Sequence, residues 1–236
     1  MDFVEGAILA FDKPLHWTSF DVVAKVRRVL CRCLGQKKLK VGHSGTLDPL
    51  ATGVVIICTG KKTKLIEQLQ YDTKEYVATM QLGATTPSFD MEHPVDKTYP
   101  TAHITRALIE QTILQFLGEQ WQVPPMYSAV SVNGKRAYEM ARKGEQVELK
   151  PKLLVIDEIE VLSFDAETML LTIRVVCSKG TYIRALARDI GERLQSGAYL
   201  TALRRTRVGN THVEDCYNIQ DFLCEMENKY SSTTGN

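Results

Sequence analysis

The chain predicts an α+β fold, and three observations carry that reading. Strand-like and helix-like segments mix without the strict strand-helix-strand alternation of a parallel sheet. Leu153 to Val176 reads as two long strands that turn near Asp165-Ala166-Glu167. No internal repeat or linker divides the 236 residues, of which 44% are apolar, enough to bury a core that folds alone.

Taken in order, Gly6 to Phe11 reads as a buried strand. Thr18-Ser19-Phe20-Asp21 is a capping-box pattern with Asp standing in for Glu, so a helix should open here. That helix sets Val22, Val26, Val29 and Cys33 on one face and basic residues on the other. Val54 to Cys58 is a short β-branched run suited to a buried strand, and Tyr76 to Leu82 alternates as a half-buried strand does. Thr101 is expected to cap a helix carrying Ile104, Leu108, Ile113 and Leu117, which Gly118 stops. After the long hairpin, Thr181 is expected to cap a helix with Ile183, Leu186, Ile190 and Leu194 inward. A strand over Tyr199 to Val208 and a short helix near Asn218 to Glu227 follow. Residues 124–150 read as irregular, and their Lys135, Arg136, Arg142 and Lys143 among aromatics suit an exposed, mobile arm. Ser231 to Asn236 is small and polar, so a disordered tail is expected there.

The formal net charge is +1, which excludes a global field drawing the chain to nucleic acid. Local clusters remain. Lys25, Arg27, Arg28, Arg32, Lys37, Lys38 and Lys40 fall between Val22 and Leu47 with no acidic residue among them. Lys61-Lys62-Thr63-Lys64 and Arg204-Arg205-Thr206-Arg207 follow, and three such runs favour a polyanionic partner over a merely solvated face. The six cysteines include no Cys-x-x-Cys and the five histidines lack zinc-ligand spacing, so reduced thiols and no metal are expected. No basic leader opens the chain and no apolar run reaches the ~20 residues that span a bilayer, which together imply a cytoplasmic protein.

The most informative segment is His43-Ser44-Gly45-Thr46-Leu47-Asp48-Pro49-Leu50-Ala51-Thr52-Gly53, where one carboxylate sits in an uncharged loop. Pro49 disfavours helical geometry at Asp48, while Gly45 and Gly53 permit backbone angles that other residues resist. A hydrolase nucleophile elbow fails here because Thr46, not Gly, stands two places after Ser44. A phosphate-binding loop fails because six residues rather than four separate Gly53 from Gly60, and Lys62 follows Lys61. The bland reading is an Asp capping its own turn. A second constellation, Cys177-Ser178-Lys179-Gly180-Thr181-Tyr182-Ile183-Arg184, ends a strand and opens a helix, so Tyr182 and Arg184 emerge beside orphan amides that favour an anion. An arginine close to Asp48 would hold its carboxylate ionised in a dry site, ready to act as nucleophile or base.

From Gly6 to Val208 the sequence resembles the bacterial tRNA pseudouridine-55 synthase family. The resemblance is carried by Asp12-Lys13-Pro14, the His43 to Gly53 loop, Lys74-Glu75-Tyr76, Pro125-Met126-Tyr127-Ser128-Ala129, Gly134-Lys135-Arg136-Ala137-Tyr138-Glu139 and Ser178 to Arg184, in that order. It implies a pseudouridine synthase fold, a mixed and mostly antiparallel sheet flanked by helices, with an RNA-gripping insertion. It implies isomerisation of uridine 55 in the tRNA T-loop by base flipping, with no cofactor and no metal. It also implies roles: Asp48 as the catalytic carboxylate, Tyr76 stacking on the flipped uracil, His43 holding the base out of its loop. Tyr182 would lie against the reacting nucleotide, Arg184 would pair with Asp48, and Leu203 would close the pocket. One carboxylate can suffice because the detached base is itself the incoming nucleophile, whereas glycosidases must also activate water. Attack at C1′ of the sugar, attack at C6 of the uracil, and proton removal to a glycal all remain open.

The basic clusters then become candidate RNA contacts: Lys25, Arg28, Arg32, Lys61, Lys64, Lys135, Arg136, Arg142, Arg204 and Arg205. A single catalytic domain over 1–230 is expected, acting as a monomer on the T-arm of tRNA, without a membrane or small-molecule cofactor as partner. The chain departs from the family at Gly83 to His93, where Ser88 replaces Thr and His93 replaces Gly, so a stiffer loop is expected. It also ends soon after the last strand, so the C-terminal RNA-binding domain that many members append is expected to be missing. Two rivals stand: an RNA-folding helper with incidental chemistry, and the same enzyme acting on other RNAs or several uridines.

Overall fold

The computed structural model describes residues 1–128, 130–132, 134–144 and 148–231. In chain order the first elements are β1 (Ile8–Lys13), α1 (Ser19–Cys33), β2 (Val41–His43), β3 (Ala51–Thr59), α2 (Ile66–Leu69) and β4 (Lys74–Leu82). Then come β5 (Ala84–Thr85), β6 (Lys97–Thr98), α3 (Arg106–Ile113), β7 (Gly118–Gln122), β8 (Ser131–Val132), β9 (Lys135–Arg136) and α4 (Ala137–Arg142). The chain continues through β10 (Lys152–Asp165), β11 (Leu170–Cys177), α5 (Ile183–Arg193), β12 (Ala198–Val208), β13 (Thr211–His212), β14 (Tyr217–Asn218) and α6 (Ile219–Ser231). These elements group into two compact units, Met1–Glu75 with Arg204–Asn236, and Tyr76–Leu203.

The first unit has the strand order β14-β1-β3-β12, with β2 on β3 and β13 on β12. β1 runs antiparallel to β3, pairing Ile8 with Cys58 and Lys13 with Gly53, and parallel to β14, so the sheet is mixed. The run Val54 to Cys58 is almost wholly shut off from water, which is why it is continuously apolar rather than alternating. The capping box of α1 forms as the sequence predicts: Thr18 accepts from the Asp21 amide, and the Asp21 carboxylate accepts from the Thr18 amide at 2.8 Å. Such a cap contributes about 1 kcal/mol, so Thr18→Ala is the single change that would fray this helix start. Val22, Val23, Val26, Val29 and Leu30 are its buried face, while Cys33 is half-buried and donates its thiol to the Met226 carbonyl of α6. Phe11 meets Phe222 edge-to-face at 5.0 Å, closing this core.

The second unit has the order β4-β11-β10-β7. The expected hairpin is β10 with β11, antiparallel from Ile156 opposite Cys177 to Asp165 opposite Leu170. β4 buries every second side chain, matching its alternating sequence. Three expectations need correction. The cap of α3 is Thr105, whose hydroxyl accepts from the Leu108 amide, while Thr101 only closes a preceding turn on the Ile104 amide. The residue at the cap of α5 is Tyr182, because the Thr181 hydroxyl turns back to donate to the Ser178 carbonyl at 3.0 Å. Residues 124–150 are not wholly irregular, since they carry the β8-β9 pair and α4, with Ala137 and Leu149 buried. Short polar pairs of this kind carry no periodicity long enough to read. Ala129, Asn133 and 145–147 of that segment lie outside the described residues, as do 232–236 of the expected tail.

Candidate active site

In the first unit Asp48 sits half-buried in the loop joining β2 to β3. The backbone of this loop is tied at several points. The Ser19 hydroxyl at the start of α1 accepts from the Leu47 amide at 2.8 Å and donates to the Leu47 carbonyl at 3.1 Å. The His16 amide donates to the Pro49 carbonyl at 2.8 Å, and the Ala51 amide donates to the Asp48 carbonyl at 3.0 Å. From β12 the Arg205 guanidinium donates to the carbonyls of Val54 at 2.7 Å and of Thr46 and Gly45 at 3.3 Å each. Gly45 and Gly53 hold φ of +116° and +109°, as the sequence requires of them.

Arg205 is 2% exposed, so its place among RNA contacts is corrected: a guanidinium closed off by the loop it braces cannot reach a phosphate. Its neighbour Arg204 is half-buried and pairs with both carboxylate oxygens of Asp12, at 3.1 and 2.7 Å, while donating to Thr52 Oγ1. Arg207 donates to the Gly209 carbonyl and lies 3.7 Å from Glu75. The run looked like a polyanion site because sequence shows charges and not their partners. Lys13 is fully buried and donates to the carbonyls of Pro14 and Trp17. Burial pushes its amine down to about 8, against the pull of the Asp48 charge. Burial, and then the Arg205 charge, also lower the pKa of half-buried His43, so at neutral pH its imidazole is uncharged.

Of the expected RNA contacts, Lys25, Arg28, Arg32, Lys61 and Lys64 are exposed on this unit. Arg32 pairs with Glu227 at 2.7 Å and Lys61 with Glu5 at 2.8 Å, both in solvent where such pairs exchange readily for others. In the second unit Lys135 is exposed, and exposed Arg142 lies 3.5 Å from Glu92 and over the Tyr138 ring. The backbone of Arg136 belongs to β9, and its side chain lies outside the described residues.

The second unit holds Tyr76, Tyr182, Arg184 and Leu203. Tyr76 is buried on β4, and Leu203 is half-buried on β12. Tyr182 is half-buried at the cap of α5, where its amide donates to Gln122 Oε1 at 2.9 Å and its carbonyl accepts from Gln122 Nε2 at 3.2 Å. Arg184 is 6% exposed, and its guanidinium donates to the Ser88 carbonyl at 3.1 Å and the Tyr127 carbonyl at 2.9 Å. Its Nε lies 3.5 Å from Asp90, whose other oxygen accepts from the Ser88 hydroxyl at 2.6 Å and the Glu92 amide at 3.0 Å. The serine that replaces threonine therefore keeps the hydroxyl this carboxylate uses, and His93 packs on the Tyr127 ring at 4.5 Å. Asp90, Gln122, Ser19 and the brace of Arg205 were not legible as site residues. Among the described residues no group of three or more His, Cys, Asp and Glu is placed to hold a metal ion.

The model of the TruB family pseudouridylate synthase N-terminal domain matches residues 31–183, and that of the tRNA pseudouridylate synthase B C-terminal domain matches 184–233. The chain belongs to the TruB family. It is an enzyme, an isomerase with the α+β pseudouridine synthase fold. The C-terminal TruB model falls on α5, β12, β13, β14 and α6. The chain is 65% identical to tRNA pseudouridine synthase B of Phocaeicola vulgatus over 94% of each chain. It is 49% identical to the protein of the same name from Flavobacterium johnsoniae, over 94% of this chain and 96% of that one. Among solved structures it matches one in a Cbf5-Nop10-Gar1 complex, with a TM-score of 0.72 and 30% identity over 98% of this chain. A second, from an H/ACA RNP bound to a substrate RNA, gives a TM-score of 0.70 at 26% identity. The chain spans just over half the length of these two, 57% and 56%.

Proposed function

We propose that the protein converts uridine 55 in the T-loop of tRNA to pseudouridine, as a cytoplasmic monomer that needs no cofactor. Support comes from its 65% identity to a tRNA pseudouridine synthase B and from the loop that presents Asp48 with Leu47 and Pro49 tied on either side. That loop is the observation carrying the catalytic assignment. The carboxylate acts on the flipped nucleotide, the bond from C1′ to N1 breaks, and the uracil turns and rejoins through C5. The C5 proton leaves and N1 gains one, so the change is an isomerisation. Attack at C1′, attack at C6, and a glycal route all conserve these atoms.

Arg184 serves as the charge partner of Asp48 in this reading, Tyr76 stacks on the uracil, and Tyr182 lies against the reacting nucleotide. Uncharged His43 holds the base out by hydrogen bonding or stacking rather than by charge. Leu203 closes the pocket over the detached base. Unstacking costs a few kcal/mol, which stacking in the pocket offsets, and a single-stranded loop lowers that cost. Lys25, Arg28, Arg32, Lys61 and Lys64 from one unit, with Lys135, Arg136 and Arg142 from the other, grip the tRNA backbone. The test is pseudouridine mapping on unmodified tRNA transcript, wild type beside Asp48→Asn, with binding measured in parallel. Modification lost while binding persists supports the assignment. Modification retained refutes it, and modification at other uridines refutes the site.

A further inference from the structure

We propose that Ser19 and Arg205 are positioning residues for this reaction, presetting the Asp48 carboxylate through the loop backbone before RNA arrives; this rests on the reading of Asp48 as the catalytic group. A loop rich in Gly, Thr and Pro anchors few side chains beyond buried Ser44 and Leu47, and each unrestrained residue keeps backbone entropy. Ser19 answers this at one point. A hydroxyl is one donor and two acceptors, and here a single hydroxyl satisfies both backbone groups of Leu47, the residue before Asp48. Ser19 is 1% exposed, so water does not compete for either bond. The capping work of α1 is done by Thr18 and Asp21, which leaves the Ser19 hydroxyl free to reach the loop.

Arg205 acts at a second point. Burying a guanidinium is costly unless its donors are used, and Arg205 uses them on Gly45, Thr46 and Val54, tying the loop to the strand that follows it. Residues 45, 46 and 47 are thus held by two side chains from distant parts of the chain, and Pro49 by the His16 amide. Displacing a reacting group by about 1 Å costs on the order of 100-fold in rate, so loosening either clamp should lower the chemical step while RNA affinity stays put.

The experiment uses the full chain and unmodified tRNA transcript, with enzyme in excess. Single-turnover rate constant, tRNA Kd and thermal melt are measured for wild type, Ser19→Ala, Ser19→Cys, Arg205→Lys and Asp48→Asn. Ser19→Ala should lower the rate constant about 10-fold to 100-fold with Kd unchanged. The thiol of Ser19→Cys is a weak donor and acceptor and should fall between, and Arg205→Lys, which keeps the charge and loses the fork, should lose a similar factor. Amide exchange at Leu47 should quicken in Ser19→Ala. If Ser19→Ala does not fold, Ser19→Cys decides, and a wild-type rate in it overturns the clamp. Full rates in both Ser19→Ala and Arg205→Lys, with Asp48→Asn inactive, overturn the clamp alone, as does a loss confined to Kd. Activity retained in Asp48→Asn overturns the reading of Asp48 and this proposal with it.

Discussion

Gly53→Ala asks whether the close approach of β12 to the Asp48 loop is what dictates glycine there. Gly53 holds φ of +109°, and a Cβ added to it would stand 2.1 Å from the Arg205 carbonyl oxygen and 2.8 Å from the Arg205 carbonyl carbon and nitrogen. All three are main-chain atoms of a paired strand, so no flexible side chain can move aside. The left-handed backbone costs about 1–3 kcal/mol for an L side chain. Forcing the methyl in costs roughly as much again, as overpacking does elsewhere. The sum, about 2–6 kcal/mol, is a large fraction of the 5–15 kcal/mol that typically holds a native protein folded. At an m-value of about 2–3 kcal/mol/M in urea, the unfolding midpoint should fall by about 0.7–3 M. Gly35→Ala is the control: its φ is +62° with nothing within 4 Å of the added carbon, so only the backbone penalty applies. A Gly53→Ala midpoint equal to that of Gly35→Ala would refute the argument, because the contact with Arg205 would then have cost nothing.

Three further outcomes follow from the geometry. Asp90→Ala takes away the carboxylate 3.5 Å from the buried Arg184 guanidinium, which keeps its bonds to the Ser88 and Tyr127 carbonyls, and a drop of about 1–3 kcal/mol in urea-derived stability is expected; a drop under about 0.5 kcal/mol would show the pair to be energetically idle. Lys13 has a folded pKa of about 8 against an ordinary 10.5, so between those values the unfolded chain binds more protons and the contribution of this group to stability rises with pH. Relative to Lys13→Met, which also removes the buried amine, wild type should therefore gain about 2 kcal/mol on going from pH 7.5 to 9.5; parallel curves would refute the shift. Lys25→Gln, Arg28→Gln and Arg32→Gln together should weaken tRNA binding and flatten its salt dependence by roughly 2 in the log-log slope. The exposed Arg32 to Glu227 pair is worth at most about 1 kcal/mol, so the melt should hardly change, and unaltered affinity would remove this face from the RNA interface.

Sequence by itself determined the elements whose causes are local. The Thr18 to Asp21 capping box, the alternation of β4, the β10-β11 hairpin and the strained glycines of the Asp48 loop each follow from neighbouring residues, through hydrogen bonds or φ preferences that act over a few positions. The ordered motifs determined the family, because spacing over the whole chain is itself a sequence property. Helix starts were less legible where two threonines competed: Thr105 rather than Thr101 caps α3, and the Thr181 hydroxyl is taken by Ser178.

Tertiary structure alone decided what the charges and small polar groups do. Arg205 and Ser19 meet the loop from 160 and 28 positions away, and no local rule links an arginine on a late strand, or a serine on an early helix, to those carbonyls. Arg204 reads as a phosphate ligand until Asp12, 192 positions away, is found beside it. A charge is visible in sequence, but its worth depends on burial and partners, and both are set only when the chain has closed its long-range contacts.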